Sequence, residues 1–224
     1  MSGWFITGTD TGVGKTRVAA AILRHLSATG VRAVGMKPVA SGAEYCNGSP
    51  CWQDVAELIA ADQIDCPQDM RNPYRFEPAI APHLAAEQAG VAIDFQRIRQ
   101  ACAMLAEQAD AVVVEGAGGW YVPLGASGSM ADLASQLDLP VILVVGMRLG
   151  CINHALLSAR AIQADGCRLA GWVANEVDPD MLVPEANLAT LCRLMPAPLL
   201  ARMPWQPNAP GELSFLSAGL EILR

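Results

Sequence analysis

The sequence predicts a single α/β domain in which helices cover both faces of a parallel sheet. Strand-like and helix-like segments alternate along all 224 residues, which is typical of parallel sheets. The strand-like segments are continuous apolar runs, as in strands buried on both faces, and 52% of the residues are hydrophobic. We find no internal repeat and no linker that would divide the chain, so residues 1–224 are expected to form one domain.

The loop after the first strand predicts a nucleotide-binding site. A strand from Trp4 to Thr7 leads into Gly8-Thr-Asp-Thr-Gly-Val-Gly-Lys-Thr16, and a helix is predicted from Arg17 to Leu26. Strand, glycine loop, Lys-Thr and helix form the layout of the P-loop NTPases. Glycines let backbone N–H groups face a phosphate, Lys15 adds a positive charge, and the Thr16 hydroxyl can bind Mg²⁺. The loop has one residue more than the strict pattern, which requires a glycine at position 9.

A second strand, Val31 to Met36, delivers two further polar side chains. It is followed by Lys37-Pro-Val-Ala-Ser41. Because ligands of open parallel sheets bind beyond the carboxyl ends of the strands, we expect Lys37 and Ser41 to face the same crevice as the glycine loop. The alternative for Lys37 is a solvated loop lysine.

Asp54 lies in the first turn of a helix predicted from Trp52 to Ala61. A carboxylate there is by default a favourable charge at a helix N-terminus, and it becomes a candidate metal ligand only if it faces the crevice. The preceding residues, Ala43 to Pro50, are predicted to form a polar loop. The proline-rich stretch from Cys66 to Pro82 is predicted to be a wall on the substrate side.

A short helix is predicted from Pro82 to Ala89, and its His83 is interpreted as packed or solvated. The next helix, Phe95 to Ala109, leads into Ala111-Val-Val-Val-Glu115-Gly-Ala-Gly-Gly119. A buried strand that ends in a carboxylate indicates a metal-side acid, although a solvent-facing Glu115 is the alternative. The glycines do not form a dinucleotide fingerprint, because Tyr121 stands where the third glycine is required.

The second half of the chain is predicted to supply the base pocket. A strand from Leu139 to Val145 is followed by a helix from His154 to Ala164, and a strand from Arg168 to Ala174 ends in Asn175. The Asn175 side chain can accept from the N6 amine of adenine and donate to N7. The guanine-specific pattern Asn-Lys-x-Asp is absent, because Glu176 replaces the lysine, so adenine is favoured.

Four more elements complete the expected fold. They are a helix from Pro184 to Met195, a strand from Pro198 to Met203, the segment Pro204 to Gln206 closing the base pocket, and a terminal helix from Leu213 to Arg224.

Composition excludes several classes of function. The net charge is −7 and there is no Lys/Arg cluster, which argues against a nucleic-acid partner. The longest apolar run, Leu137 to Met147, is too short to span a bilayer, and no signal peptide is recognised, so we expect a cytoplasmic protein. The seven cysteines include no Cys-x-x-Cys pair, so we expect reduced thiols rather than a disulfide framework or a zinc site.

Several motifs in a fixed order resemble the dethiobiotin synthetases over nearly the whole chain. Besides the glycine loop, they are Lys37-Pro-Val-Ala-Ser-Gly42, Val114-Glu-Gly-Ala-Gly-Gly119, Gly150-Cys-Ile-Asn-His154, Gly171-Trp-Val-Ala-Asn175 and Met203-Pro-Trp205. The longer glycine loop is itself part of that family's pattern. The resemblance implies ATP-dependent conversion of 7,8-diaminononanoate (7,8-diaminopelargonate) and CO₂ to dethiobiotin, through a carbamate and a carbamic-phosphoric anhydride, in biotin biosynthesis.

The resemblance also implies roles for individual residues. Lys15, Lys37 and Thr11 would be catalytic, and Thr16, Asp54 and Glu115 would bind Mg²⁺. Ser41 and Thr11 would bind the diamine and carbamate, and Gly150, Cys151, Ile152 and Asn153 would bind the diamine's carboxylate tail in a neighbouring subunit's site, so a homodimer is implied. The implied ATP site comprises Gly12, Val13, Gly14, Lys15, Thr16, Arg17, Asp54, Glu115, Gly116, Ala117, Gly118, Asn175, Glu176, Pro204, Trp205 and Gln206.

Two positions differ from the family's pattern or match it least. Gly12 stands where some members carry an acidic residue in the loop, so a role of that side chain would be missing in this chain. Asn187 is a possible wall for the aliphatic chain of the substrate.

A switch ATPase of the chromosome-partitioning or division-site type is the main alternative. Such proteins usually carry a second lysine five residues before the P-loop lysine, where this chain has Asp10. They also often have a basic or amphipathic surface, which an acidic chain lacks. A cobyrinic-acid-type synthetase is a third possibility, but those enzymes usually carry an amidotransferase domain for which 224 residues leave no room.

Overall fold

A computed structural model describes residues 3–46, 48–206 and 211–223. Its strands, in chain order, are β1 (Gly3–Gly8), β2 (Ala33–Met36), β3 (Val39–Ser41), β4 (Glu44–Cys46), β5 (Ser49–Cys51), β6 (Tyr74–Phe76), β7 (Ala111–Glu115), β8 (Val141–Met147), β9 (Leu169–Glu176), β10 (Leu199–Met203) and β11 (Ser214–Phe215). Its helices are α1 (Lys15–Ala28), α2 (Gln53–Ala61), α3 (Gln68–Arg71), α4 (Pro82–Gln88), α5 (Phe95–Gln108), α6 (Met130–Leu137), α7 (Cys151–Ala164), α8 (Pro184–Leu194) and α9 (Ser217–Ile222).

Seven of these strands form the main sheet, in the order β11-β10-β9-β8-β1-β7-β2. All neighbouring pairs are parallel except β10 and β11, which are antiparallel at one edge. The predicted P-loop-type α/β fold with a single domain is therefore confirmed. In this order β1 lies next to β7, and β7 lies next to β2. The glycine loop that follows β1 is therefore close to the carboxyl ends of both β7 and β2.

Side chains of the central strands alternate between the two faces of the sheet. Trp4 and Ile6 of β1 belong to an apolar cluster that contains the buried face of α1, whereas Phe5 belongs to a cluster on the other face. That second cluster includes buried residues of α5, α6, α7 and α8. Both faces are thus covered, which explains why the strands read as continuous apolar runs.

Helix α6 is an element that our sequence interpretation did not identify. Ser129 caps its N-terminus, and the Ser129 side chain and Asp132 form a capping box, with the Ser129 N–H donating to Asp132 Oδ2 over 2.7 Å. Met130 and Leu133 then bury their side chains. The signal was present in the sequence, because a serine followed three residues later by a carboxylate commonly begins a helix.

The predicted polar loop from Ala43 to Pro50 is wrong for most of its length. Residues there form an antiparallel hairpin of β4 and β5, in which Glu44 pairs with Cys51. This register brings Cys46 and Cys51 to a Cα–Cα distance of 6.0 Å, within the usual range for a disulfide, and the two are bonded. The expectation that all thiols are reduced is wrong for this pair, and the other five cysteines form no disulfide in the described part of the chain.

The predicted terminal helix is wrong at its start. Ser214 and Phe215 instead form β11, which pairs with Arg202 and Ala201 at the edge of the sheet. An edge strand offers unpaired backbone groups, and the chain uses them before the helix begins at Ser217. Arg224 lies outside the described residues. The other predicted elements are present, with ends that differ by three residues at most.

The proline-rich stretch from Cys66 to Pro82 also contains regular structure. It forms α3 and then β6, which pairs in parallel with β3 in a separate two-stranded sheet. None of the helices in the described ranges combines the length and the hydropathy that a membrane span requires.

Candidate active site

A cavity of about 650 Å³ opens at the carboxyl ends of β1, β2 and β7. Many of the predicted site residues line it, including both lysines and both carboxylates. They are Thr11, Gly12, Gly14, Lys15, Thr16, Arg17, Lys37, Ser41, Asp54, Glu115, Ala117 and Gly118. The sequence interpretation missed Val39 and Val122 as lining residues, and it gave Ala79, Ile80, Ala81 and Pro82 only as part of a wall.

Lys37 is buried at the floor of this cavity. Its side-chain ammonium lies 2.7 Å from Glu115 Oε1 and 2.9 Å from Asp54 Oδ2, and it donates to the carbonyl of Gly116 over 3.3 Å. Burial by itself would lower the pKa of Lys37, but the two carboxylates outweigh it and raise the pKa above its ordinary value. The alternative of a solvated loop lysine is therefore wrong.

Glu115 and Thr16 lie side by side in the cavity. The Thr16 hydroxyl donates to Glu115 Oε1 over 2.8 Å, and Glu115 is only 1% exposed, so the solvent-facing alternative for this carboxylate is also wrong. Glu115 Oε2 is buried and has no hydrogen-bond partner among the described residues. A buried carboxylate oxygen without a partner carries a large desolvation cost unless a cation or a donor reaches it.

Asp54 lies in the first turn of α2 and lines the cavity. It therefore meets the condition under which we consider it a candidate metal ligand. Asp54, Glu115 and the Thr16 hydroxyl are oxygen donors of the kind that Mg²⁺ prefers. Within the described ranges no group of three or more His, Cys, Asp or Glu side chains could hold a metal. The set therefore fits a cation that draws its remaining ligands from phosphate and water, as Mg²⁺ commonly does.

Lys15 is as buried as Lys37 but has different partners. Its ammonium donates to the carbonyl of Asp10 over 2.9 Å, inside its own loop. The pKa of Lys15 is lowered to about 8, mainly by burial and secondly by the positive charge of Lys37. The Asp10 carboxylate accepts from the Thr11 N–H and pairs with Arg148 at 2.6 Å, so the loop is fixed without any ligand.

Two glycines of the loop have backbone conformations that other residues avoid. Gly12 and Gly14 have φ angles of 74° and 87°. A Cβ at Gly14 would lie 2.1 Å from Asn175 Nδ2, whereas a Cβ at Gly12 would have no heavy atom within 4 Å. Gly14 is therefore required by both conformation and space, and Gly12 by conformation alone.

Asn175 contacts the loop from the end of β9. Its Nδ2 donates to the carbonyl of Val13 over 2.8 Å, and its Oδ1 is buried without a described partner. One donor is thus used to hold the loop, while the carbonyl oxygen remains available for the predicted contact with a base. Asn175, Val13 and Gly116 do not line the cavity itself.

Glu176 and the segment from Pro204 to Gln206, which were also predicted to bind the nucleotide, lie outside the cavity lining. Arg17 donates to the carbonyl of Gln206 over 2.7 Å. Glu176 Oε2 accepts from the N–H of Trp205 over 3.2 Å, and Trp205 follows Pro204 directly. The structure therefore brings the end of β9 and the segment after β10 into one region, as the base-pocket prediction requires.

The segment Gly150 to Asn153 does not reach the cavity of its own chain. It forms the N-terminus of α7, where Cys151 is buried and Asn153 is exposed. Asn187 and His83 also do not line the cavity. Asn187 donates to the carbonyl of Val183 on the exposed side of α8, and His83 is half-buried next to the cavity-lining Pro82 without lining the cavity.

Comparison with known proteins decides the family. A family profile described as an AAA domain matches residues 2–212. The ATP-dependent dethiobiotin synthetase BioD of Nitrosospira multiformis is 51% identical over 222 residues, which cover 99% of this chain and 96% of the relative. The enzyme of the same name from Aromatoleum aromaticum is 54% identical over 201 residues, covering 90% and 89%.

The chain belongs to the dethiobiotin synthetase family. This confirms the resemblance seen in the sequence, and with it the expected enzyme class, an ATP-dependent ligase. The septum site-determining protein MinD of Pyrococcus horikoshii, solved with Mg-ADP, superposes with a TM-score of 0.58 over 92% of this chain and 82% of that chain. Its sequence is only 17% identical, so that likeness shows the shared P-loop fold alone.

Proposed function

We propose that this protein makes dethiobiotin from 7,8-diaminononanoate, CO₂ and ATP, and releases ADP and phosphate. Membership in the dethiobiotin synthetase family supports the overall reaction. The observation that carries the proposal is the buried Lys37, which lies in one cavity with the phosphate loop and is held by two carboxylates. A cation fixed at that place can offset the repulsion between two anions that must react with each other.

The proposed chemistry has three steps. An amine nitrogen of the diamine attacks CO₂ and loses a proton, which gives a carbamate. A carbamate oxygen then attacks the γ-phosphorus, and the bond from that phosphorus to the bridging oxygen of ADP breaks. Finally the second amine attacks the carbonyl carbon of the anhydride, the bond from that carbon to the phosphate oxygen breaks, and the urea ring closes with release of phosphate and a proton.

Phosphoryl transfer of this kind depends on positioning and on charge neutralisation more than on covalent help from the protein. Lys15 would contact the β- and γ-phosphates, because it lines the cavity and its ammonium donates to a backbone carbonyl of its own loop. Lys37 would lie between the carbamate and the γ-phosphate. The Thr11 and Ser41 side chains line the same cavity and would hydrogen-bond the carbamate or the diamine.

Mg²⁺ would be held by Thr16, Asp54 and Glu115, and the residues present fit it. The unpaired, buried Glu115 Oε2 is the observation that supports this assignment. When bound, the cation would supply positive charge beside the phosphate oxygens. The adenine and ribose would bind near Asn175, Glu176 and the segment from Pro204 to Gln206, with the unpaired Oδ1 of Asn175 as acceptor for the adenine amine.

A homodimer with shared sites completes the proposal. Gly150 to Asn153 cannot reach the cavity of its own chain, but a helix N-terminus can bind the carboxylate tail of a diamine in a neighbouring subunit. Leu149 directly before this segment is 95% exposed, and Leu182 is 84% exposed. Exposed leucines of this kind support an interface at this face.

The test is product formation with purified protein. Phosphate release from ATP should require both the diamine and bicarbonate, and dethiobiotin should appear in equal amount by mass spectrometry. Phosphate release at the same rate without the diamine would instead favour a switch ATPase. That alternative lacks its characteristic contact, because Asp10 occupies the position of the second lysine and pairs with Arg148.

A further inference from the structure

Asn72 is a buried residue to which the proposed reaction gives no role. It lies between α3 and β6 and its exposed fraction is 0%. Its amide nitrogen donates two hydrogen bonds, to the carbonyl of Lys37 over 2.7 Å and to the carbonyl of Tyr74 over 2.9 Å. Its Oδ1 is buried and has no partner among the described residues. A buried side-chain amide whose nitrogen is hydrogen-bonded but whose oxygen has no partner lowers the stability of the folded protein. Its presence here therefore calls for an explanation other than packing.

The two hydrogen bonds belong to a clamp around the backbone of Lys37. The N–H of Lys37 donates to the carbonyl of Arg71 over 2.8 Å, and the N–H of Tyr74 donates to the carbonyl of Pro38 over 3.2 Å. Together with Asn72, these bonds hold the peptide groups on both sides of Lys37. Lys37 lies between the end of β2 at Met36 and the start of β3 at Val39. The hydrogen bonds between strands therefore do not fix its backbone.

The clamp is itself anchored to the main sheet. Arg71 forms a buried bidentate pair with Asp62, with a distance of 2.9 Å from Arg71 Nη2 to Asp62 Oδ1, and Asp62 Oδ2 accepts from the N–H of Gly35 in β2 over 2.8 Å. The segment that holds Lys37 is thus tied to the strand that delivers it. A displacement of this segment would move the peptide of Lys37, and its ammonium with it.

We propose that Asn72 is a positioning residue for Lys37. Through the carbonyl of Lys37, it fixes the direction in which the side chain leaves the backbone, and so the place of the ammonium beside Asp54 and Glu115. The inference rests on the proposed function of Lys37 in the reaction. Asn72 itself lies outside the lining of the cavity in which substrate and nucleotide would bind.

The experiment is a double-mutant cycle between Asn72→Ala and Lys37→Ala, with kcat measured from the steady-state formation of dethiobiotin from radiolabelled bicarbonate. Rates are referred to folded molecules counted by ADP binding. Asn72→Ala should lower kcat by about 10-fold or more, as expected for a reacting group displaced by a fraction of an ångström, and should leave the Kd for ADP unchanged. In the Lys37→Ala background, Asn72→Ala should have no further effect on the residual rate, because the side chain it positions is gone.

Two further variants keep the test decisive. Asn72→Asp preserves the shape and replaces the donating amide by an acceptor, so it should lose as much kcat as Asn72→Ala. Asp94→Ala removes the N-cap bond of α5 to the N–H of Gln96 and is the matched control, because it should lower stability and leave kcat unchanged.

The outcomes separate this inference from the proposed function. An unchanged kcat in Asn72→Ala, or an equal loss of rate with and without Lys37, would overturn the positioning role. Lys37→Ala alone should lower kcat by about 100-fold or more, and a full rate there would overturn the proposed role of Lys37 instead.

Discussion

Lys15 and Lys37 are two lysines of one cavity whose pKa values are shifted in opposite directions. Both are almost fully buried, at 6% and 5% exposure, so desolvation acts on both. Lys37 faces two carboxylates within 3 Å, and they keep it charged. Lys15 donates instead to the backbone carbonyl of Asp10, and its pKa falls to about 8. Lys15 is consequently the cation that an incoming phosphate would stabilise most.

Nucleotide binding should therefore take up a proton at alkaline pH. Phosphate oxygens favour the charged form of Lys15, so its pKa rises in the complex above the value of about 8 in the free chain. Below this pKa, Lys15 is already charged and binding is independent of its titration. Above it, the affinity for ADP should fall by up to about tenfold per pH unit.

Calorimetry of ADP binding in buffers of different ionisation enthalpy measures this uptake. Binding should take up about one proton at pH 9, where the phosphates of ADP are fully ionised and do not themselves exchange protons. Lys15→Met is the control, because it should bind ADP more weakly with no uptake at pH 9. A binding enthalpy that does not depend on the buffer at pH 9 would show that Lys15 is charged in the free protein.

The glycine loop between β1 and α1 allows a matched prediction at the scale of one element. Gly12 and Gly14 both have positive φ, so a side chain costs backbone strain of about 1 kcal/mol at either position. Only at Gly14 would the new Cβ collide, with Asn175 Nδ2, and displace the side chain that holds the carbonyl of Val13.

Gly14→Ala should weaken ADP binding by about 100-fold or more, whereas Gly12→Ala should change it by about tenfold at most, since about 1.4 kcal/mol corresponds to a factor of ten. Fluorescence titration of both variants provides the comparison. Thermal unfolding serves as the control that each variant is folded. Equal losses in the two variants would mean that the contact between Gly14 and Asn175 has no part in shaping the loop.

The strand ends explain why much of the site was predictable. Lys37 directly follows β2 and Glu115 is the last residue of β7, and parallel strands deliver such side chains to one edge of the sheet. The role of Asp54 could not be decided from the sequence. A carboxylate in the first turn of a helix gives the same sequence pattern whether it faces solvent or a cavity. Asn72 was missed for a different reason. Its hydrogen bond to Lys37 joins residues 35 positions apart, and a backbone acceptor leaves no residue pattern.

The strands that the sequence did not predict share one physical feature. The hairpin of β4 and β5 and the edge strand β11 are short, at most three residues each, so hydrophobic periodicity has too few positions to act as a signal. Their formation depends on backbone partners supplied by the tertiary structure. The long central strands and helices were predictable because burial on the sheet imposes a pattern over many residues.

At the scale of the whole molecule, the cavity of one chain is not lined by every residue that we assign to the proposed reaction. The cavity holds the phosphate loop and both lysines, whereas the exposed N-terminus of α7 with Asn153 lies outside it. The exposed Leu149 and Leu182 lie two residues before the first residues of α7 and α8. The dimer that we propose is two-fold symmetric, with each α7 contributing to the other chain's cavity.

Complementation between inactive variants tests this arrangement. Lys15→Ala removes the lysine of the glycine loop. Asn153→Ala alters the segment that we propose binds substrate in the site of the neighbouring subunit. A mixed dimer would contain one site with both changes and one site with neither. After exchange of subunits at equal amounts, half of the dimers are mixed, so about one quarter of the normal activity should return. A mixture in which the Lys15→Ala partner also carries Asn153→Ala should stay inactive, because no intact site can form. If native mass spectrometry shows mixed dimers and activity does not return, each site must be complete within one chain, and the exposed end of α7 has no part in substrate binding.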